Sequence, residues 1–405
     1  MVDGSAVLHA DRNQTTSITA QAAASRLHGL VEPYGPEALS RYRQIADSGI
    51  AGHSQQTLWI ESWMEAVPTK GLILTIFEGS DAIMALPLEV ADTHSIRRAR
   101  YMGGSHANGN FPACVRGANA PAAAELRQAI AAALAASRPD IDALVLERQM
   151  RSLQGMSNPL AVLAHQTSPN IALAVNLDDG FEGVLAKHNG KKRRKKHRYQ
   201  SRKFEEAGGF RFMRAQTPED VDRLFSAYAE MKAIWFRKNG LPDVFAGEEY
   251  GRFFRNLFAR ALQQEEPDFY LEALEVAGVV RAVSGSSRVG DRVVCEFGGI
   301  ADDDMTPFSP GEFLTFESIQ AACRDGNTVY DYGVGDEHYK RHWCDEEIHH
   351  FDVALPLSAK GRLYAGIKKP FTALKRQVKS SPRLNRLVRQ LRGRVGREAE
   401  HKDAE

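Results

Sequence analysis

Apolar and polar positions along this chain fall into two series of the same order, about 190 residues apart. In the first, residues 73–90 (ILTIFEGSDAIMALPLEV) place apolar stretches on either side of a Gly-Ser-Asp turn, which predicts a strand hairpin. Residues 98–104 (RARYMGG) predict a short strand closing on paired glycines. An Ala-rich helix over 120–137 and a buried-type strand over 141–147 (IDALVLE) follow. In the second series, 270–289 reads as strand, Ala-Gly turn, strand, and 292–299 (RVVCEFGG) again ends on two glycines. A helix over 309–324 and a strand over 328–333 (TVYDYG) complete it. The preceding helices correspond loosely, with Trp59 and Trp63 in one and Trp235 in the other. This repetition predicts two similar α/β domains in tandem, although so common an element order can also arise twice by chance.

Between the series, residues 188–203 (HNGKKRRKKHRYQSRK) continue into a helical pattern that reaches Phe204 before Gly208 and Gly209. A further helix follows Thr217, a good N-cap, with Pro218 at the first helical position. Its apolar positions Val221, Leu224, Phe225 and Tyr228 keep helical spacing. Two amphipathic basic helices are predicted at the end. One carries Leu363, Ile367, Phe371, Leu374 and Val378 and is kinked by Pro370; the other carries Leu384, Leu387, Val388, Leu391 and Val395. The expected organisation is a loose leader over 1–40, a first domain over 41–176, a second over 177–356 and a basic helical tail over 357–405.

Composition is that of a globular protein, 43% hydrophobic and 25% charged. Charge changes the picture only when split by segment. The 52 Lys/Arg and 51 Asp/Glu leave a net charge of +1. Yet residues 187–203 hold ten Lys/Arg and no acid, and residues 360–405 hold fourteen against four acids. The remainder is strongly acidic. Four cysteines, none in a CxxC pair, exclude a disulfide framework and a zinc ribbon. The start lacks a cationic n-region and an apolar h-region, and no stretch of about twenty apolar residues occurs. The expectation is a cytoplasmic protein whose basic tail helices can lie on the inner face of the membrane, with packing on the second domain as the plainer alternative.

Two stretches carry candidate chemistry. Ser309, Pro310, Gly311 and Glu312 open a helix whose free N–H groups suit a pyrophosphate, and Gly311 would admit a bulky anion. The plainer reading is an ordinary helix start capped by Ser309. The run from Asp331 to Lys340 places an acid, a phenol and an amine at a glycine-rich strand end. Asp331 could take a proton from an attacking amine, while Tyr339 and Lys340 polarise a carbonyl or protonate a leaving thiolate. A turn with a solvated lysine is the plainer reading. Gly333 and Gly335 make no dinucleotide fingerprint, because His338 stands where a third glycine is needed. His338 and His342 have ligand spacing, but Tyr339 replaces the HExxH glutamate, so no metal is expected.

With these residues in place, the second half resembles the GNAT-type acetyltransferase domain of the BioF2-like (CelD-like) family, related to the FemAB peptidyltransferases. The resemblance rests on the basic run 191–203, Gly208-Gly209, the 231–240 segment MKAIWFRKNG, the hairpin 271–284, the Ser309-Pro310-Gly311 helix start, and Asp331-Tyr332-Gly333-x-Gly335 with Tyr339-Lys340. It covers about residues 180–350. It implies tandem GNAT-like folds with mixed, largely antiparallel sheets flanked by helices, an acetyl-CoA or other acyl-CoA donor, and no metal. The donor would lie on Ser309, Pro310, Gly311 and Glu312, although the usual Gln/Arg-x-x-Gly-x-Gly/Ala loop is reduced here to Ser-Pro-Gly. Direct transfer to an amine or hydroxyl of a sugar, peptide or envelope-polymer precursor needs no covalent nucleophile. In keeping with that, no Gly-x-Ser-x-Gly elbow occurs. Glu296, on the strand before the donor loop, is a second candidate base or a cross-strand partner.

Lys191–Lys196 admits four readings: nucleic-acid phosphates, a localisation signal, an anionic substrate or donor phosphate, or a solvated helix face. Substrate docking is the expected one. Two rival functions remain open. One is an aminoacyl-tRNA-dependent transferase of the FemAB kind, and the other a non-catalytic scaffold in polymer biosynthesis.

Overall fold

The computed structural model describes residues 26–93, 96–118 and 120–380. The first half runs β1 (Leu27–Pro33), α1 (Pro36–Ala46), a 3-10 turn (His53–Gln55), α2 (Thr57–Ala66), β2 (Lys70–Glu78) and β3 (Asp81–Thr93). It continues through β4 (Ile96–Tyr101), β5 (Ala113–Cys114), α3 (Ala123–Ser137), β6 (Ala143–Gln149), the small hairpin β7 (Ser152–Leu153) and β8 (Met156–Ser157), and β9 (His165–Asn176). The second half runs α4 (Gly180–Lys187), α5 (Gly190–Glu206), β10 (Phe210–Arg214), α6 (Pro218–Lys238), α7 (Glu248–Ala261), β11 (Phe269–Val276), β12 (Val279–Val289) and β13 (Arg292–Ile300). Then come α8 (Pro310–Arg324), β14 (Val329–Val334), α9 (His338–Arg341), β15 (Glu346–Pro356) and α10 (Ala359–Ser380).

Both halves share one mixed sheet, ordered β1-β2-β3-β4-β6-β15-β9-β14-β13-β12-β11-β10, with β5 on the side of β3. The order shows an exchange. Strand β15, from the end of the second half, pairs with β6, and β9, from the end of the first, pairs with β14. The two exchanged strands then pair with each other, antiparallel, and close the sheet between the halves. Among the described residues, two strand pairs are parallel, β4 with β6 and β13 with β14.

Burial explains the apolar runs. Every residue of β11 is buried, because helices cover both faces of the sheet there. Helix α7 offers Phe253, Phe254, Leu257, Phe258 and Ala261 from one side, at helical spacing. That face meets α2 of the first half, where the buried Trp59 ring stands edge-on to Phe253 with centroids 4.9 Å apart. Each such side chain stabilises the contact by about 2–3 kcal/mol. Trp63 packs beside them and donates from Nε1 to the buried Glu89 carboxylate at 2.8 Å.

Some expectations change. Residues 27–40, read as part of a loose leader, form β1 and open α1; residues 1–25 lie outside the described residues. Ser309 precedes α8 in a left-handed conformation (φ 55°), and its side chain makes no capping bond. Helix α10 packs on β15 and β9 through Gly361, Ala365 and Thr372 and leaves Leu363 and Ile367 exposed, 68% and 62%. The predicted helix over 384–395 lies outside the described residues. Among the described residues, no helix is long and apolar enough to cross a membrane.

Candidate active site

Strands β13 and β14 run parallel through Arg292↔Val329, Val293↔Tyr330 and Val294↔Asp331 and then part. The parting begins at Gly333, whose φ of 67° lies in the left-handed region. A Cβ there would also sit 3.1 Å from the Cys295 carbonyl oxygen, so glycine fits both the turn and the close approach. The amide of Gly333 donates back to Asp331 Oδ1 at 2.8 Å, and Arg292 Nη1 donates to Oδ2 at 3.1 Å. Asp331 is 4% exposed. Burial raises its pKa; Arg292, the Gly333 amide, His53 and Lys340 oppose the rise. A carboxyl moved toward neutrality is suited to exchanging a proton.

Three of the sequence-derived candidates come together here. Lys340, on α9, is buried, binds Glu337 Oε2 at 2.9 Å, and lies near enough to Asp331 to act on its charge. Glu296, on β13, has a buried side chain with its Oε1 engaged twice: His53 Nδ1 stands 2.6 Å away and Ser287 Oγ donates at 2.5 Å. The fourth, Tyr339, is 56% exposed on α9, edge-on to Tyr332. Cys295 lines the same region and feels Lys340 and Lys232, but burial pushes its thiol up to about 12. It therefore stays protonated near neutrality.

The helix start at Ser309–Glu312 lies beside α5. Gln200 Nε2 donates to the Phe308 and Ser309 carbonyls at 2.8 and 3.1 Å, and Lys196 pairs with Glu312. Arg193 is close enough to feel both Glu312 and Tyr332, so this helix start and the strand splay share one neighbourhood. Gly311 answers first to packing, since a Cβ would stand 2.3 Å from Ile300 Cδ1. The basic helix α5 is partly consumed within the fold. Arg193 lies over the Trp343 ring at 3.8 Å, Arg194 pairs with Glu182, and His197 stacks on Phe313 and Phe316. Lys191, Lys192, Lys195 and Arg198 remain exposed and make no ion pair among the described residues.

Sequence reasoning missed His53, Arg292 and Lys232. Lys232 sits 5.2 Å from the Trp235 ring centroid, with its pKa lowered by burial, facing Cys295 and Glu337. His53 sits in a polar run between two first-half helices, 243 positions from Glu296 in the chain, so no spacing rule pairs them. Among the described residues, no group of three or more His, Cys, Asp or Glu side chains is placed to hold a metal ion.

Residues 191–341 match the family model of the acetyltransferase (GNAT) domain. The chain carries a GNAT acetyltransferase domain. This agrees with the resemblance read from residues 180–350. The crystal structure of FemX superposes with a TM-score of 0.55 at 12% identity, covering 83% of this chain and 99% of that one, which shows a shared fold. Also similar are the C-terminal domain of a putative lysylphosphatidylglycerol synthetase from Agrobacterium fabrum (TM-score 0.48, 11% identity, 82% and 94% covered) and a tandem GNAT protein from the clavulanic acid biosynthesis pathway (0.46, 12%, 82% and 99%). No curated protein matches the sequence. The GNAT domain takes in α5 through α9, and with them Glu296, the α8 start, Asp331 and Lys340.

Proposed function

We propose that the GNAT domain transfers an acyl group from acyl-CoA directly to an amine or hydroxyl of a sugar, peptide or envelope-polymer precursor. The carrying observation is the splay between β13 and β14, with buried Asp331 and Lys340 beside it and the α8 start nearby. In this reading the donor's pantetheine lies along the splay and its phosphates lie toward Ser309, Pro310, Gly311 and Glu312. Lys196, Arg193 and the exposed Lys195 supply positive charge from α5. The acceptor's lone pair forms the new bond to the thioester carbonyl carbon as the C–S bond breaks. Asp331 takes the acceptor's proton, and Lys340 or Tyr339 gives one to the departing thiolate. Backbone N–H groups freed where β13 leaves β14 stabilise the transient oxyanion. Mixing the full chain with acetyl-CoA and longer acyl-CoAs and a panel of amine and hydroxyl acceptors tests this by free-thiol release. Release that depends on an acceptor and fails in Asp331→Asn is expected; no release from any donor would sink the reading.

A second reading keeps the fold and changes the donor to an aminoacyl-tRNA. The exposed cations Lys191, Lys195 and Arg198, spaced at 0, 4 and 7 along α5, give a polyanion a straight stripe to follow. It predicts tRNA binding that weakens steeply with salt and on neutralising those three residues. Absence of binding at low salt removes it.

A further inference from the structure

The 3-10 turn His53–Gln55 is built with unusual care for a connection between two helices. All three side chains are buried and polar. Gln55 Oε1 accepts from the Phe111 amide at 3.0 Å, its Nε2 donates to Asn110 Oδ1 at 2.8 Å, and its carbonyl accepts from the Tyr42 hydroxyl. Gly52 has no room for a side chain, since a Cβ would stand 2.5 Å from Gln55 Oε1 and 2.7 Å from the Phe111 nitrogen. On the far side, Gln56 Nε2 donates to the Arg288 carbonyl of β12 at 2.8 Å, which fixes the turn to the second half. The outcome of this bracing is one contact, His53 Nδ1 at 2.6 Å from Glu296 Oε1, with both side chains buried.

Its position makes the contact informative. Glu296 lies two residues beyond Val294, the register partner of Asp331, so two buried carboxylates flank the splay from neighbouring strands. Two such groups repel, and an isolated pair tends to share a single proton. Here each has its own basic partner: Arg292 for Asp331 and His53 for Glu296. We infer that His53 is a positioning residue, lent by the first half, which holds Glu296 as the carboxylate so that Asp331 alone exchanges a proton at the splay. The titratable groups around His53 are Glu296 on β13, Asp331 on β14 and His350 on β15, with Arg292 acting on Asp331 and both Arg148 and Arg292 acting on His350. Glu296 raises the His53 pKa against the effect of its burial. The inference rests on the acyl-transfer reading for its consequence but not for its test.

That test is a pH titration of the full chain with carboxyl-13C-labelled aspartate and with 15N-labelled histidine, in wild type, His53→Gln, Glu296→Gln and the double variant. Expected is a rise of about one pH unit in the Asp331 midpoint on His53→Gln. That rise should be absent when Glu296→Gln is added, and the His53 imidazole midpoint should fall in Glu296→Gln alone. Should His53→Gln fail to fold, the Glu296→Gln titration still decides the pair. An Asp331 midpoint unmoved by His53→Gln, or a His53 midpoint unmoved by Glu296→Gln, overturns the inference. In turnover, the acid limb of kcat/KM follows the Asp331 midpoint in each variant, whereas a merely structural role lowers the rate equally at every pH. If the titrations behave as expected and no donor is ever turned over, it is the acyl-transfer reading that fails.

Discussion

The two places where parallel strands part make a natural comparison. In the first half, β4 and β6 pair through Arg98↔Ala143 and Ala99↔Leu144; in the second, β13 and β14 pair up to Val294↔Asp331. Ala99 and Val294 each stand four residues before the first of two paired glycines, so Leu144 corresponds to Asp331 and Arg148 to Gly335. At Arg148 the backbone is left-handed (φ 54°), held by Asp352 accepting from its amide at 2.8 Å. Its guanidinium turns into the splay and donates to the Gly104 and Ser105 carbonyls, each at 3.1 Å, and to Asn108 Oδ1 at 2.5 Å. A cavity of about 130 Å³ is left beside it. At Gly335 there is no side chain to do the same. One splay is filled by an arginine and lacks a carboxyl at the key position; the other has glycine in the arginine's place and has a carboxyl. The difference teaches that two halves with the same element order can offer different chemistry at the same place in the frame.

The largest expected effect concerns the frame that both splays share. Ending the chain after residue 345 removes β15, leaving β6 and β9 without their common partner. Neither half is expected to unfold cooperatively in denaturant after that loss. A soluble product with a sharp transition would break the account of exchanged strands. Next, Asp331→Asn is expected to lower transfer by about 10²- to 10⁴-fold with donor affinity unchanged. An equal loss in both would make Asp331 a binding group. Arg148→Met should cost roughly 2 kcal/mol in denaturant unfolding, because three acceptors, two of them partly buried, lose a charged donor, with no loss of transfer. A loss of transfer as large as that of Asp331→Asn would put the reacting centre in the first half.

The smallest effect is in pH. Burial lowers His106 and His350 to about 4, so each stabilises the fold above its unfolded value of about 6.5, and that contribution is lost as pH falls toward 4. His53 is raised, so its contribution is complete below about 6.5 and is lost as pH rises through its folded value. Unfolding midpoints measured between pH 4 and 9 should therefore fall on both sides. His350→Gln should flatten the acid side and His53→Gln the alkaline side; the reverse assignment would contradict the burial of His350 and the pairing of His53 with Glu296.

Much of the frame was legible from local signals. The hairpins, the paired glycines and the helix from Gly190 to Glu206 all lie where periodicity and turn residues put them. Thr217 caps α6 as its sequence suggests, accepting from the Asp220 amide at 3.2 Å. The strand exchange was not legible, because the pattern of β9 or β15 states that a strand is half-buried and not which strand it pairs with. At the site, Asp331, Lys340 and Glu296 were readable as acid and amine near a glycine-rich strand end. Their partners His53 and Arg292 were not, since burial and charge pairing join residues remote in sequence. Ser309 misled for a physical reason: its sequence suits a cap, but the preceding turn drives its backbone left-handed and turns the hydroxyl away from that role.

Calorimetric titration of the full chain with acetyl-CoA and longer acyl-CoAs tests the central claim most directly, with Gly335→Arg and Arg148→Met alongside wild type. One donor per chain is predicted for wild type and for Arg148→Met, with affinity reduced at least about tenfold, or 1.4 kcal/mol, in Gly335→Arg, which gives the second splay the residue that Arg148 supplies at the matching position of the first. No binding of any acyl-CoA at millimolar concentration, or binding indifferent to Gly335→Arg, would contradict it.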